Sequence, residues 1–142
     1  AELVCDGFHV HPVMLHLAIA AKGRDRIMAI TDASAGAGLT PGSTALLGGR
    51  RVTVTERAAF LEDGTLAGST ATMDRVFRLL TSSVGLGLVE SAHLCATTPA
   101  RELGLAGHGV IAQGAVADLT VLDSRLGVVE TLVGGTPVLG AF

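Results

Sequence analysis

The chain contains no tryptophan and no tyrosine, and only four of its 142 residues are phenylalanine. A hydrophobic core must therefore be built from leucine, valine, isoleucine and alanine. The two cysteines, Cys5 and Cys95, follow no CxxC spacing, which excludes a cysteine zinc motif and a dense disulfide framework. Two unpaired cysteines suit a reducing, cytoplasmic environment, in which each would be a small core residue rather than a nucleophile.

Charge and hydropathy exclude two further classes of protein. The formal net charge is −3, and acidic and basic residues are interspersed without a basic stripe, so nothing indicates binding to nucleic acid. No run of about 18 uncharged apolar residues is present, so we expect no membrane-spanning helix.

Small and apolar residues are abundant. Hydrophobic residues make up 49% of the chain, nineteen residues are glycine, and the mean hydropathy is +0.55. These values are high for a free-standing domain and typical of part of a larger barrel, whose faces stay apolar where other strands would cover them. Because the chain also begins with Ala1 inside a predicted strand, we expect a truncated or processed chain.

Residues 1–32 have the pattern of a strand–helix–strand unit. Residues 2–5 form a short apolar run without strict alternation, which is typical of a buried parallel strand. Pro12 can open a helix at its first turn, and Gly23 can end it. A second apolar run, residues 27–30, ends in Thr31-Asp32. The pattern predicts a βαβ unit.

The rest of the chain mixes loop, strand and helix patterns. Small residues predict one loop over 33–43 and another over 65–73. Alternation and apolar periodicity predict strands at 51–55, 58–61, 117–123 and 128–133, and helices from Thr72, over 88–96 and from Pro99. Asp63-Gly64 and Gly134-Gly135 are expected to form tight turns.

Asp32 is the leading catalytic candidate. It ends a predicted strand and precedes a flexible loop, and in barrels of parallel strands the catalytic groups lie at the carboxyl ends of strands. A carboxylate there can bind a divalent metal, accept a proton from water and pass that proton to a leaving amine. The alternative is that Asp32 only caps a loop or helix.

The histidines are expected to have different roles. His9 lies two residues beyond an Asp-Gly turn, where its imidazole could donate a hydrogen bond to a substrate oxygen; the alternative is a structural histidine. His9-x-His11 copies the spacing of a metal pair, but Pro12 follows, and we expect His11 to be a surface residue. His93 and His108 have no partner at ligand spacing and are expected to be structural.

The segment Leu66-Ala67-Gly68-Ser69 could bind a ligand through its backbone. Its small side chains leave N–H and C=O groups accessible. The alternative is a plain glycine turn before a helix, with Ser69 or Thr72 as the N-cap residue.

These motifs, in this order, resemble the C-terminal part of the N-acetylglucosamine-6-phosphate deacetylases, a family of the amidohydrolase superfamily. The resemblance rests on Asp6-Gly7-Phe8-His9, Thr31-Asp32-Ala33 and Leu66-Ala67-Gly68-Ser69. It implies that Asp32 is the acid/base carboxylate and a metal ligand. It also implies that His9 contacts the substrate without binding metal, and that main-chain groups of Leu66, Ala67 and Gly68 hold the sugar.

The same resemblance implies a fold and a set of partners. The fold class is α/β, namely the last two βα units of a (β/α)8 barrel plus strands of a small accessory β-domain. The expected domains are residues 1–107, a partial barrel with a β-hairpin insertion, and residues 108–142, the accessory strands. The parent enzyme would use a divalent metal, zinc or iron, and would convert an amino-sugar phosphate, N-acetylglucosamine 6-phosphate, to glucosamine 6-phosphate and acetate.

One carboxylate cannot hold a catalytic zinc, which normally takes three protein ligands, and the family's phosphate-binding basic residues are also missing. We therefore expect the chain alone to be inactive, to hold no metal stably, and to self-associate or pair with an N-terminal part. Two alternatives stay open. The parent could be another amidohydrolase, dihydroorotase-like or an N-acyl amino acid deacylase, or the chain could be a non-catalytic partial barrel that acts as an assembly module.

Overall fold

A parallel pair of strands joined through a helix opens the fold. The computed structural model describes residues 1–138. Strand β1 (Glu2–Val4) pairs in parallel with β2 (Met28–Ile30), and helix α1 (Pro12–Lys22) connects them, followed by a 3-10 turn (Arg24–Arg26). Pro12 lies in the first turn of α1, and the N–H of Gly23 ends the helix by donating to the carbonyl oxygen of Ile19 at 2.8 Å. The predicted βαβ unit is confirmed.

A four-stranded antiparallel sheet follows, in the order β3-β4-β5-β6. Its strands are β3 (Thr44–Leu47), β4 (Arg50–Val54), β5 (Ala58–Leu61) and β6 (Leu66–Ser69). The strands predicted at 51–55 and 58–61 are confirmed as β4 and β5, which pair with each other in antiparallel orientation. The prediction of a loop over residues 66–69 is wrong, because these residues pair with β5 as an edge strand whose residues alternate in burial.

The helical region is less interrupted than its sequence indicates. Helix α2 (Met73–Ser82) begins where predicted, although Thr72 makes no side-chain cap; the Ser69 hydroxyl accepts from the Ala71 N–H at 2.9 Å instead. Helix α3 (Leu88–Ala92), a π-helical turn (His93–Thr97) and helix α4 (Thr98–Glu102) follow one another directly. Pro99 opens the short helix α4, which carries Arg101, as predicted. It lies in the first turn of α4, where the wide π turn already replaces the α-helical bonding pattern.

The main core lies between the parallel strands and these helices. It is made of aliphatic side chains and one thiol, as the lack of tryptophan and tyrosine predicts. Its buried members are Cys5, Leu15, Ile19, Ile27, Ala29, Val76, Leu80, Val84 and Leu94. A smaller cluster of Val52, Ala59 and Ala67 lies in the antiparallel sheet.

A third sheet, also antiparallel, lies near the end of the described chain. It contains β7 (Leu119–Leu122), β8 (Val128–Val133) and β9 (Thr136–Pro137) in that order, and Gly134-Gly135 turn between β8 and β9 as predicted. The accessory unit predicted over 108–142 extends past residue 138, so its last four residues lie outside the described residues. Within residues 1–138, no helix is both long enough and apolar enough to cross a membrane.

Candidate functional site

The turn after β1 is organised around the carboxylate of Asp6. One oxygen, Oδ1, accepts the backbone N–H groups of Phe8 and His9, each at 2.9 Å. The other oxygen, Oδ2, lies 2.7 Å from Nδ1 of the His9 ring. Gly7 supplies the left-handed backbone conformation (φ 76°) that lets the chain turn back over the carboxylate.

This carboxylate is held in its charged form although its side chain has no exposed surface. Burial by itself raises the pKa of Asp6, but the hydrogen bonds from the backbone of His9 and Phe8, and from the side chains of His9 and Ser69, outweigh burial. The net effect lowers the pKa of Asp6 below its ordinary value. A fixed negative charge therefore lies beneath the His9 ring.

Asp32 lies at the equivalent point after the neighbouring strand. Because β1 and β2 are parallel, their carboxyl ends meet at one edge, and Oδ2 of Asp32 lies 3.5 Å from Nε2 of His9. The Asp32 side chain is 51% exposed, so solvent or a ligand can reach it. Its backbone has φ 55°, a conformation that residues other than glycine adopt rarely and that is often found at functional sites.

Strand β6 makes backbone hydrogen bonds to residues 31–34, called here the Asp32 loop. The Ser69 N–H donates to the Asp32 carbonyl at 2.8 Å, and the Ser34 N–H donates to the Ser69 carbonyl at 3.2 Å. A Cβ atom on Gly68 would lie 2.7 Å from the Cβ of Ser34 and 3.0 Å from the Asp32 carbonyl oxygen. Two distant segments that the sequence singled out, 31–33 and 66–69, are therefore in direct contact.

The antiparallel sheet also supports the other loop. Between β4 and β5, the guanidinium group of Arg57 donates to the Gly7 carbonyl at 2.7 Å and lies 5.2 Å from the centre of the Phe8 ring. The Phe8 ring meets Phe60 of β5 edge-to-face at 6.0 Å. Sequence reasoning missed Arg57 because its partners are about fifty residues away, and it treated Asp6 as a turn residue. The Asp-x-x-His spacing was the signal that could have identified Asp6.

The remaining candidates lie apart from this edge. His11 is exposed and caps α1, with its Nδ1 accepting from the Val13 N–H at 3.3 Å. His93 and His108 each approach a single carboxylate, at 3.8 and 3.7 Å.

Leu66 and Ala67 precede Gly68 in β6, with Ala67 buried in the sheet cluster. A contact of Leu66, Ala67 or Gly68 with sugar stays a prediction.

The described residues do not by themselves fit a catalytic metal ion. Within residues 1–138, no three histidine, cysteine, aspartate or glutamate side chains come together in a metal-binding group. Asp32 offers one carboxylate, whereas a catalytic zinc normally has three protein ligands. His9 directs Nδ1 at Asp6 and has only Nε2 free.

The cysteines do not add a nucleophile. Cys5 is fully buried in the core, and burial, then the neighbouring Cys95 thiol and Asp6, raise its pKa to about 12. Burial likewise raises the pKa of Cys95 to about 12. Both thiols stay protonated near neutral pH and are unreactive.

Comparison with known proteins identifies the family. A protein of Escherichia coli K12, provisionally named an N-acetylgalactosamine-6-phosphate deacetylase, is 35% identical over 135 residues, which are 94% of this chain and 80% of that protein. The chain belongs to the N-acetylglucosamine-6-phosphate deacetylase family. The N-acetylglucosamine-6-phosphate deacetylase of Bacillus subtilis strain 168 is 36% identical over 135 residues, which are 94% of this chain but 34% of that enzyme. No protein-family model matches the chain.

A solved deacetylase structure shares the fold. An aspartate-to-alanine variant of the Mycobacterium smegmatis enzyme, in complex with N-acetyl-D-glucosamine-6-phosphate, superimposes with a TM-score of 0.90 at 37% identity. The superposition covers 98% of this chain and 37% of that one. The chain thus has the α/β fold of a deacetylase segment, and it spans about a third of the length of the longer relatives.

Proposed function

We propose that this chain is the acid/base-bearing segment of a hydrolase that removes the acetyl group from N-acetylglucosamine 6-phosphate, giving glucosamine 6-phosphate and acetate. The observation that carries the proposal is the half-exposed Asp32 carboxylate, 3.5 Å from Nε2 of His9, at the shared edge of two parallel strands in a deacetylase fold. In such sheets, substrates bind beyond the carboxyl ends of the strands.

In this proposal Asp32 moves the proton. Its carboxylate accepts a proton from the water that attacks the acetyl carbonyl, and then donates that proton to the nitrogen of the leaving amine. The Nε2 atom of His9 contacts a hydroxyl group of the substrate. Main-chain groups of Leu66, Ala67 and Gly68 hold the sugar, supported by the contact of β6 with the Asp32 loop.

We also propose that the parent enzyme is an amidohydrolase that needs a divalent metal, zinc or iron. Asp32 would supply one ligand and segments outside this chain the others, because residues 1–138 contain no complete metal-binding group. Such an ion polarises a carbonyl group and lowers the pKa of bound water. The 142-residue chain alone should therefore be inactive.

The proposed architecture places residues 1–107 in the last two βα units of a (β/α)8 barrel, including the β3–β6 sheet as an insertion. Residues 108–142 would belong to a small accessory β-domain. The parallel β1–β2 pair and the separate β7–β9 sheet support this division. The reducing environment suggested by the two free cysteines supports a cytoplasmic location.

A second substrate has specific support. The Escherichia coli K12 relative is named for N-acetylgalactosamine 6-phosphate, and its 35% identity is close to the 36% of the Bacillus subtilis enzyme named for the glucosamine epimer. The two sugars are epimers that differ only in the configuration of one hydroxyl group. Both should be tested as substrates.

A chimeric enzyme tests the proposal. This chain would replace the aligned segment of the Mycobacterium smegmatis deacetylase, and acetate release would be measured with each sugar phosphate. We expect turnover by the chimera, and none by the isolated chain even with added zinc. Turnover by the isolated chain that a chelator abolishes would refute the second expectation.

Substitutions then assign the roles. Asp32→Asn should lower kcat by about 10²–10⁴-fold, because an amide cannot accept and pass on a proton. His9→Asn should cost less, since asparagine keeps a hydrogen-bonding group. Asp63→Asn is the matched control, because Asp63 is an exposed carboxylate in the β5–β6 turn. Near-normal turnover in Asp32→Asn would show that another residue carries the acid/base role.

A further inference from the structure

The Asp6 carboxylate makes more contacts than its turn requires. Two backbone N–H groups saturate the turn-forming oxygen, Oδ1, and the second oxygen lies 2.7 Å from Nδ1 of the His9 ring. Asp123 provides an internal comparison. It accepts two backbone N–H groups on Oδ1, from Arg125 and Gly127 at 2.8 Å each, in a turn of the third sheet. A turn of this kind can thus be closed without a histidine contact.

The contact determines which ring nitrogen carries the proton. An ionised carboxylate can only accept hydrogen bonds, so at 2.7 Å the Nδ1 atom of His9 must be the donor. Because Asp6 has no exposed surface and a lowered pKa, it stays ionised under the histidine. In the neutral ring, Nε2 then carries a lone pair and can only accept a hydrogen bond, and it faces the exposed edge of the site.

We propose that Asp6 is a positioning residue: it holds the His9 proton on Nδ1 and thereby presents Nε2 to the substrate as a hydrogen-bond acceptor. The part of this inference that concerns turnover rests on the proposed function; the part that concerns the ring does not. The fixed contact removes both the rotation of the ring and the alternative tautomer. His9 therefore does not need to reorganise when a ligand arrives.

The spectroscopic test uses this chain labelled with ¹⁵N-histidine. Long-range ¹H–¹⁵N correlation at pH 9, where an ordinary imidazole is neutral, reports which nitrogen of His9 is protonated. In the wild type, we expect the proton on Nδ1. A wild-type ring protonated on Nε2 alone would overturn the proposal without any variant.

Asp6→Asn gives a sharper outcome than removal of the side chain. The two backbone N–H groups hold the amide oxygen at the Oδ1 position, so the NH₂ group must take the Oδ2 position and donate to Nδ1. The ring then has to carry its proton on Nε2. We expect the tautomer to switch in Asp6→Asn and to be unchanged in Asp123→Asn. An unchanged tautomer in Asp6→Asn would refute the inference.

Kinetics in the chimera provide the second readout. Asp6→Asn should lower kcat by about 10–10⁴-fold, the range found when the carboxylate that orients a histidine is lost or its tautomer is reversed, with a smaller change in KM. Asp123→Asn should leave both constants near the wild-type values. If the tautomer switches but kcat does not fall, the positioning role in catalysis is refuted. If the unsubstituted chimera is inactive, the proposed function fails while the tautomer result still decides the role of Asp6 at the ring.

Discussion

Replacing Gly68 with alanine should disturb the Asp32 loop, and its effect can be worked out from the contacts. Gly68 has φ 98°, and an alanine in the left-handed region costs about 1–2 kcal/mol. The new Cβ would also lie 2.7 Å from the Ser34 Cβ and 3.0 Å from the Asp32 carbonyl oxygen. Both atoms belong to a hydrogen-bonded loop, and overpacking of this kind costs about 1–3 kcal/mol more.

Gly64 is the matched control. It lies in the β5–β6 turn with φ 82°, and a Cβ there would meet no atom within 4 Å. Gly64→Ala therefore carries only the backbone cost. We expect Gly68→Ala to lower the free energy of unfolding, measured by urea denaturation, by about 1–3 kcal/mol more than Gly64→Ala does.

Equal losses in the two variants would refute the reasoning, because they would show that the Asp32 loop moves aside at no cost. In the chimera, the same pair of variants distinguishes a loss of protein stability from a displacement of Asp32 in the site. Gly68→Ala should lower kcat at temperatures where the protein is fully folded, and Gly64→Ala should not.

Two further predictions concern the isolated chain. Its surface exposes large apolar side chains on the outer face of α1, with Val13, Met14 and Leu17 more than half exposed, so we expect self-association; a monomer by light-scattering chromatography at high concentration would contradict this. Burial raises the pKa of Cys5 and Cys95 to about 12, so the native chain should react with iodoacetamide at neutral pH far more slowly than the urea-unfolded chain; equal rates would refute the burial.

The parallel unit was predictable because its signals are local. An apolar run, a proline at the first turn of α1 and a glycine after its last turn define the strand and helix without help from distant residues. His9 and Asp32 were each singled out separately, and their meeting is explained in the structure by one further rule, that parallel strands end at the same edge. Both residues were therefore predictable as site candidates.

The missed features depend on contacts between distant segments. Strand β6 was predicted as a loop because Ala67, Gly68 and Ser69 have small side chains, which normally disfavour strands. In the structure, the lack of a side chain at position 68 lets the backbone of Gly68 pack against the backbone of Asp32. The contact of Arg57 with Gly7 could not be predicted either, because it joins residues fifty positions apart. It depends on how the antiparallel sheet lies against the parallel pair.

The support that β6 gives to Asp32 has a consequence for biosynthesis. The ribosome makes residue 32 well before residue 69, and at about 5–20 residues per second the interval is about 2–7 s. During that time the loop lacks the backbone hydrogen bonds that Ser69 supplies. Residues 33–69 must therefore be synthesised, and the antiparallel sheet closed, before the Asp32 loop can adopt its final conformation. A pause or truncation anywhere in that interval would leave a paired β1–β2 unit with an unsupported carboxylate.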